Sequence, residues 1–452
     1  MKPAITLLAA LLLTSLAAPT LHAADAPKPN ILILYADDLG FGDVRCYNPQ
    51  RGKIPTPNID RLAAQGMRFT DAHTAASICS PSRYGLMTGR YPWRLHLKGN
   101  DYSLEPGRLT MAALLKAQGY RSAAVGKWHL GHADKKFWPQ NRGFDHFYGF
   151  MGGDTNQWEP ANLARNTTYI YPFLNNPGYN LTTAMADDAI SYVRRNVEIA
   201  PNRPWFIHYA PGGTHAPHHP TKEWVDRIEQ MHLFDEGWEK VRERIFQNQK
   251  RLGVIPANAE LPAWPADMLK RWTDLSDTEK KLFIRQANVY AAYLAYTDHE
   301  IGRVIAEVAR LGQLDNTLII YISGDNGSSA EGSVNGTPNE VMYFNGVALD
   351  ADKQMAWYDV WGTDQTYNHM AVGWTWAFDT PYRWTKQVAS HFGGTRNGMA
   401  ISWPAKIKDR GGIRTQFHHV IDVVPTILDL AGIPQPNQVD GIAQRPMDGV
   451  SM

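Results

Sequence analysis

Four apolar runs in this 452-residue chain each end abruptly in residues able to do chemistry, and that repetition narrows the folds open to it. Ile31-Leu32-Ile33-Leu34-Tyr35-Ala36 runs straight into Asp37-Asp38. Tyr120 to Val125 leads into Gly126-Lys127-Trp128-His129. Trp205-Phe206-Ile207-His208-Tyr209 precedes a Gly-rich turn and His215, and Leu318 to Ile322 runs into Gly324-Asp325-Asn326. Continuous apolar runs of this length suit strands buried on both faces. Helix signals fall between them. Thr56-Pro57 opens one helix and Gly66 closes it; Thr110 to Gln118 stops at Gly119. Ser276 followed by Glu279 is a capping box ahead of a long helix towards Gly312, and Ile421 to Leu430 is stopped by Gly432. Strands alternating with helices predict an α/β sheet covered on both faces.

Two regions break that rhythm. Residues 216–275 are charged and Pro-punctuated, and residues 328–385 are rich in Gly, Asn and aromatics. Both read as rim insertions on one catalytic domain spanning 28–452. Of the 15 Trp, a third fall at 357, 361, 374, 376 and 384. Those rings either stack on a substrate or anchor the insertion by burial, and their large area favours burial. Asp298-His299 lies mid-helix and reads as a solvated face.

Charge excludes one class of partner. Lys plus Arg total 45 against 44 Asp plus Glu, a balance that gives no basis for binding nucleic acid. Lys2, the apolar stretch Ile5 to Ala18 and the segment Leu21-His22-Ala23-Ala24 read as a secretory signal over 1–24. That stretch is short for a membrane span, so the expectation is a periplasmic or secreted protein without stable membrane insertion. The two cysteines, Cys46 and Cys79, would be free to pair in an exported chain.

Ligands of open α/β sheets sit beyond the carboxyl ends of the strands, where every polar group named above would converge. Asp37, Asp38, Asp325 and Asn326 offer three carboxylates and one amide oxygen. Such a set repels itself without a cation, and all-oxygen donors suit Ca²⁺ or Mg²⁺. Each pair alone would pass for strand-end turn residues; their recurrence after matching strands favours metal ligands. Cys79-Ser80-Pro81-Ser82-Arg83 looks like a helix entrance, with Cys79 or Ser80 at the cap and Pro81 in the first turn. Free amides and the helix dipole there attract an anion, and Arg83 adds a forked cation. His218 and His219 either line the same pocket or serve a neighbouring surface.

The run from Cys79 to Met87-Thr88-Gly89-Arg90, and the stretch Gly119 to His129, resemble the two signatures of the sulfatase family. Asp37-Asp38 and Asp325-Asn326-Gly327 resemble its metal-ligand pairs, and His215-Ala216-Pro217-His218 its sulfate-binding histidine segment. Lys386 ahead of Gly393-Gly394-Thr395-Arg396 resembles its sulfate-binding lysine, one residue further from the glycines than in many relatives. The resemblance implies an alkaline-phosphatase-like fold: a large mixed, mostly parallel sheet sandwiched by helices. It also implies conversion of Cys79 to formylglycine by a maturation enzyme, which leaves Cys46 unpaired.

In the family, Ca²⁺ (Mg²⁺ being the alternative) would be held by Asp37, Asp38, Asp325, Asn326 and residue 79. The formylglycine hydrate attacks a sulfate ester and forms a covalent sulfo-enzyme, with His215 protonating the departing alcohol. His129 then takes the proton that expels sulfate, while Arg83, Lys127 and Lys386 neutralise its oxygens. The ester implied is a small-molecule or carbohydrate sulfate. Relatives commonly continue past a segment like Asp448-Gly449-Val450-Ser451 into a small antiparallel subdomain, so an absent or truncated subdomain is expected here. The alternatives are a phosphonate or phosphate ester hydrolase on the same scaffold, and a non-catalytic sulfated-glycan binder. Asn326 after Asp325 favours the sulfatase.

Overall fold

The computed structural model describes residues 28–47, 54–95, 103–105, 107–439 and 441–452. The signal read over 1–24 lies outside these residues. No described helix is long and apolar enough to cross a membrane.

The four apolar runs become adjacent strands. A ten-stranded sheet has the order Gly412–Arg414, Met67–Phe69, Met399–Ser402, Thr317–Ile322, Asn30–Tyr35, Trp205–Ala210, Arg121–Gly126, His146–Phe150, Leu163–Arg165, Thr168–Tyr169. The five strands from Thr317–Ile322 to His146–Phe150 are mutually parallel, and Met399–Ser402 and Leu163–Arg165 flank them antiparallel. Every residue of Asn30–Tyr35 is buried. Alternate side chains serve opposite faces, as the two-residue period of a strand requires. Leu32 and Leu34 enter a core shared with Val193 of the helix Leu181–Ile199 and Val289 of the helix Asp277–Arg310. Ile31, Ile33 and Tyr35 join a second core with Leu86, Leu115 and Ile427.

The long helix carries its capping box, Ser276 accepting from the Glu279 amide and Glu279 from the Ser276 amide. Asp298 departs from the expected solvated face: it is 1% exposed, while His299 is exposed. Its carboxylate accepts from the backbone amides of Asn58 (3.1 Å) and Ile59 (2.9 Å) and from the Asn58 side chain (2.9 Å). Thr56, the N-terminal neighbour of the helix Pro57–Gln65, makes no side-chain cap bond, so a carboxylate from another helix satisfies those amides instead. We expect Asp298→Ala to lower unfolding free energy by about 2 kcal/mol in equilibrium denaturation, the loss of a cap plus a charged buried hydrogen bond.

The segments outside the rhythm also pack inward. Val225, Ile228, Trp238, Val241 and Ile245 are buried in the first core. Trp361, Trp374 and Trp376 are buried and Trp357 and Trp384 partly so, with the Trp374 indole donating to the Phe283 carbonyl (2.8 Å). Cys46 is buried and free. The C-terminal stretch includes a two-residue antiparallel pairing of Gln438–Val439 with Ile442–Ala443.

Candidate active site

The loops leaving the carboxyl ends of four parallel strands meet at one point, and glycines let them do so. Gly126 has φ +111°, and a Cβ there would lie 2.0 Å from the Ala210 carbonyl oxygen, so Lys127 can follow directly while its amide bonds that oxygen (2.8 Å). Gly327, at φ +77°, abuts the Gly393 carbonyl, where a Cβ would sit 1.8 Å away. That contact joins the Asp325-Asn326 turn to the segment carrying Lys386.

Asp37, Asp38 and Asp325 each place one oxygen within 4.8 Å of the others. All three, with Asn326, are at most 1% exposed. The Asp38 amide donates to Asp325 Oδ1 (3.3 Å), and Asn326 Nδ2 donates to Asp38 Oδ1 (2.7 Å). Lys127 Nζ donates to Asp37 Oδ2 (2.7 Å). Arg83, 2% exposed, pairs with Asp37 (3.3 Å) and Asp325 (2.9 Å). Burial disfavours charge on Asp37, yet Lys127 and Arg83 hold its carboxyl far below the usual range. Burial and the Asp37 charge push Asp325 up to about 6. Asn326 Oδ1 is buried without a hydrogen bond, and the buried Asp37 Oδ1 and Asp325 Oδ2 have only the Arg83 guanidinium beside them. An orphaned amide oxygen beside three clustered carboxylates, two of whose oxygens make no hydrogen bond, is a good fit for a hard divalent cation.

Cys79 is the first residue of the helix Cys79–Thr88, preceded by Ile78, which supplies no side-chain cap. The helix therefore starts one position earlier than a Cys79 cap would give and two earlier than a Ser80 cap would give. The Ser80 hydroxyl donates to the His129 carbonyl (2.9 Å), tying this helix to the Lys127–His129 loop. Cys79 is 7% exposed, and its sulfur lies 3.3 Å from His129 Nδ1. Burial raises the thiol's pKa. Burial and then Lys127 push the pKa of the His129 imidazole well below its ordinary value.

His215 follows the strand Trp205–Ala210, and its Nδ1 faces the Ala216 carbonyl (2.6 Å). Its Nε2 is thereby turned towards Asp38 Oδ2 (3.6 Å) and Lys386 Nζ (3.3 Å). Burial opposes a charge on His215, but Asp38 outweighs it and raises the pKa. Lys386 reaches the cluster despite its altered spacing: its ammonium donates to Asp38 Oδ2 (2.9 Å). Of the residues singled out from the sequence, Asp37, Asp38, Arg83, Lys127, His215, Asp325, Asn326 and Lys386 belong to one connected cluster of contacts, and the Cys79–His129 pair lies beside it, near enough for Lys127 and Lys386 to act on the thiol electrostatically.

His218 and His219 do not serve a surface. Both are buried, and His219 Nε2 sits 2.9 Å from the Thr366 carbonyl while the Gln157 amide donates to its Nδ1 (3.3 Å). His218 packs against Tyr290 and His369, with ring centroids 5.1 Å away in each case.

Glu331 is an acidic residue that the sequence pattern leaves unmarked. It is 6% exposed, and its Oε2 accepts from Lys386 Nζ (2.8 Å) and from the Ser329 hydroxyl (3.0 Å). Gln387 donates to its Oε1 (2.5 Å). Burial raises its pKa, but Lys386 and His215 overcome that and hold it at about 2. A single Glu in a Gly- and Asn-rich stretch carries no motif, and its partner lies 55 residues away, so no local signal points to it.

The family model described as Sulfatase matches residues 29–433. An arylsulfatase of Klebsiella aerogenes is 28% identical, with 95% of this chain and 92% of that protein covered. A protein of Schizosaccharomyces pombe described as an uncharacterized sulfatase is 32% identical, with 91% of this chain and 76% of its own length covered. The crystal structure of Ps i-CgsB in complex with k-i-k-neocarrahexaose superposes with a TM-score of 0.61 at 23% identity, covering 94% of this chain and 75% of that one, a likeness of fold. With a family match over most of its length, an alkaline-phosphatase-like sheet and acidic residues grouped at its strand ends, this chain belongs to the sulfatase family of sulfuric ester hydrolases.

Proposed function

We propose that this protein is an exported, arylsulfatase-like enzyme whose nucleophile is a formylglycine made from Cys79, working beside Ca²⁺. The observation that supports this most is the grouping, near a helix N-terminus that opens with residue 79, of three buried carboxylates, the unpartnered Asn326 oxygen and the cations Arg83, Lys127 and Lys386. Asp37, Asp38, Asp325 and Asn326 would hold the ion, with residue 79 as a further ligand. When bound there, Ca²⁺ stabilises negative charge on the reacting oxygens. Formylglycine supplies, as its hydrate, one hydroxyl to attack sulfur and a second whose deprotonation releases sulfate. A maturation enzyme would have to act before folding closes the site, since Cys79 is buried in the finished fold. Export to the periplasm or medium rests on the N-terminal signal reading.

The chain's own residues then divide the work. Lys127, Lys386 and Arg83 neutralise the oxygens of the bound sulfate, at about 10²–10³ in rate for each donor lost. His129 Nδ1, already beside residue 79, receives the proton that releases sulfate. His215, its Nδ1 fixed by the Ala216 carbonyl, presents Nε2 to the leaving oxygen and protonates it. The substrate is a small-molecule or carbohydrate sulfate ester.

Parallel assays with an aryl sulfate and an aryl phosphonate test the reading, with His215→Ala in the same series. Hydrolysis of the sulfate should dominate. The His215→Ala variant should lose about 10²–10⁴-fold on an alkyl sulfate, whose alkoxide needs a proton to leave, and far less on nitrophenyl sulfate. Equal losses on both esters would remove His215 from the acid role. Preferential phosphonate hydrolysis would favour the alternative function on this scaffold.

A further inference from the structure

Lys386 differs from the other cations at the reaction centre in the source of its second carboxylate partner. Lys127 pairs with Asp37, and Arg83 with Asp37 and Asp325, so their partners all belong to the metal-ligand set. Lys386 bonds Asp38 of that set (2.9 Å) and Glu331 (2.8 Å), which lies outside it. Asp38, His215 and Glu331 place one ligand atom each within 4.8 Å of the others, a grouping that resembles a second metal site. The Lys386 ammonium contacts all three, so a side-chain cation already takes that role. Glu331 is in turn locked by Ser329 and Gln387. Its negative charge is a fixed part of the pocket, held directly behind the lysine that faces the ester.

We infer that Glu331 is a specificity-determining residue that biases the pocket towards singly charged esters and against doubly charged ones. This rests on the assignment of Lys386 to the ester sulfate made above. A sulfate monoester carries one negative charge. A phosphate monoester carries nearly two above its second pKa of about 6. Glu331 cancels much of the Lys386 charge felt by the bound group, and the extra charge of a dianion meets that fixed carboxylate at short range, through buried surroundings that screen poorly. Inorganic sulfate also carries one more negative charge than the ester it came from, so the same carboxylate weakens the hold on product.

Glu331→Gln keeps the shape and an oxygen that can accept from Lys386 and Ser329 while removing the charge, and its new NH2 is met by turning the Gln387 amide so that its oxygen accepts. The measurement is kcat/KM for nitrophenyl sulfate divided by kcat/KM for nitrophenyl phosphate at pH 8, with the inhibition constant of inorganic sulfate alongside. The ratio should fall by at least about tenfold in Glu331→Gln, and inorganic sulfate should inhibit more tightly. Glu331→Asp, which retains the charge, should restore a ratio close to that of the unaltered protein. A general loss of packing would depress both activities together and leave the ratio in place. A Glu331→Gln ratio within about twofold of the unaltered protein overturns the inference. Should Glu331→Gln fold poorly, Glu331→Ser removes the same charge and is read by the same ratio. Lys386→Ala separates the two levels: undiminished sulfate hydrolysis there would sink the lysine assignment, whereas a crippled Lys386→Ala beside an unchanged Glu331→Gln ratio would sink only the role given to Glu331.

Discussion

Replacing Cys79 with serine is expected to cut turnover by on the order of 10⁴-fold or more and to leave a sulfated protein behind. The introduced hydroxyl would occupy the same helix N-terminus, in the field of the same Lys127 and Lys386 ammonium groups. It could therefore still accept a sulfuryl group. What it lacks is a second hydroxyl on the same carbon for His129 to deprotonate. Release would need water to attack a hindered, anionic sulfate ester, with Lys127, Lys386 and Arg83 holding the ester in place. Intact-mass measurement after a single exposure to aryl sulfate should show one added sulfuryl group on the Cys79→Ser protein and none on Cys79→Ala. Sustained multiple turnover by a Cys79→Ser protein that mass spectrometry shows to be unoxidised would refute the diol mechanism. Peptide mass analysis across residue 79 of the active protein is the companion test, and an intact thiol in fully active material would be equally damaging.

Asp325→Asn should reverse the sign of its effect on stability according to whether Ca²⁺ is present. The three carboxylates place oxygens within 4.8 Å of one another, and one buried oxygen each of Asp37 and Asp325 makes no hydrogen bond and faces only Arg83. In chelator, removing one charge relieves part of their repulsion, which offsets the loss of the Arg83–Asp325 pair (2.9 Å). The variant is then expected to melt no lower than the unaltered protein. With Ca²⁺ at about a hundred times its dissociation constant, the unaltered protein gains about 2.7 kcal/mol through binding to the folded state alone. Asp325→Asn should show little of that gain and should lose about 10²–10³-fold in sulfate hydrolysis. Thermal melts of both proteins, with Ca²⁺ and with chelator, give the four numbers required. A variant with the full Ca²⁺-dependent shift would exclude Asp325 from the ion site.

Much of this site is legible in the order of residues alone. Asp37, Lys127, His215 and Asp325 stand just after apolar runs, and a parallel sheet delivers such residues to one edge whatever the details of its loops. Cys79 and Arg83 are legible for a different reason, because the spacing of a helix entrance is local chemistry. Lys386, displaced by one residue from the common pattern, nevertheless reaches Asp38, because the long aliphatic stem of a lysine tolerates such a shift.

The failures are equally specific. A charged residue in mid-helix normally faces water, yet Asp298 is buried because the amides of Asn58 and Ile59 on another helix donate to its carboxylate. His218 and His219 follow directly from the His215 segment but are turned into the interior, where His219 bonds the Gln157 amide and the Thr366 carbonyl and His218 packs against the His369 ring.

The sequence by itself determined which strands would be buried, which polar residues would stand at their ends, and that a helix would begin within the Cys79-Ser80-Pro81 segment. Those are properties of periods, caps and short spacings, which neighbouring residues settle among themselves. Only the tertiary structure decided that Glu331 stands behind Lys386 and that Asp298 caps a distant helix. Each is a charge whose burial penalty is offset by a partner more than fifty residues away, and no local pattern records a compensation made at that distance.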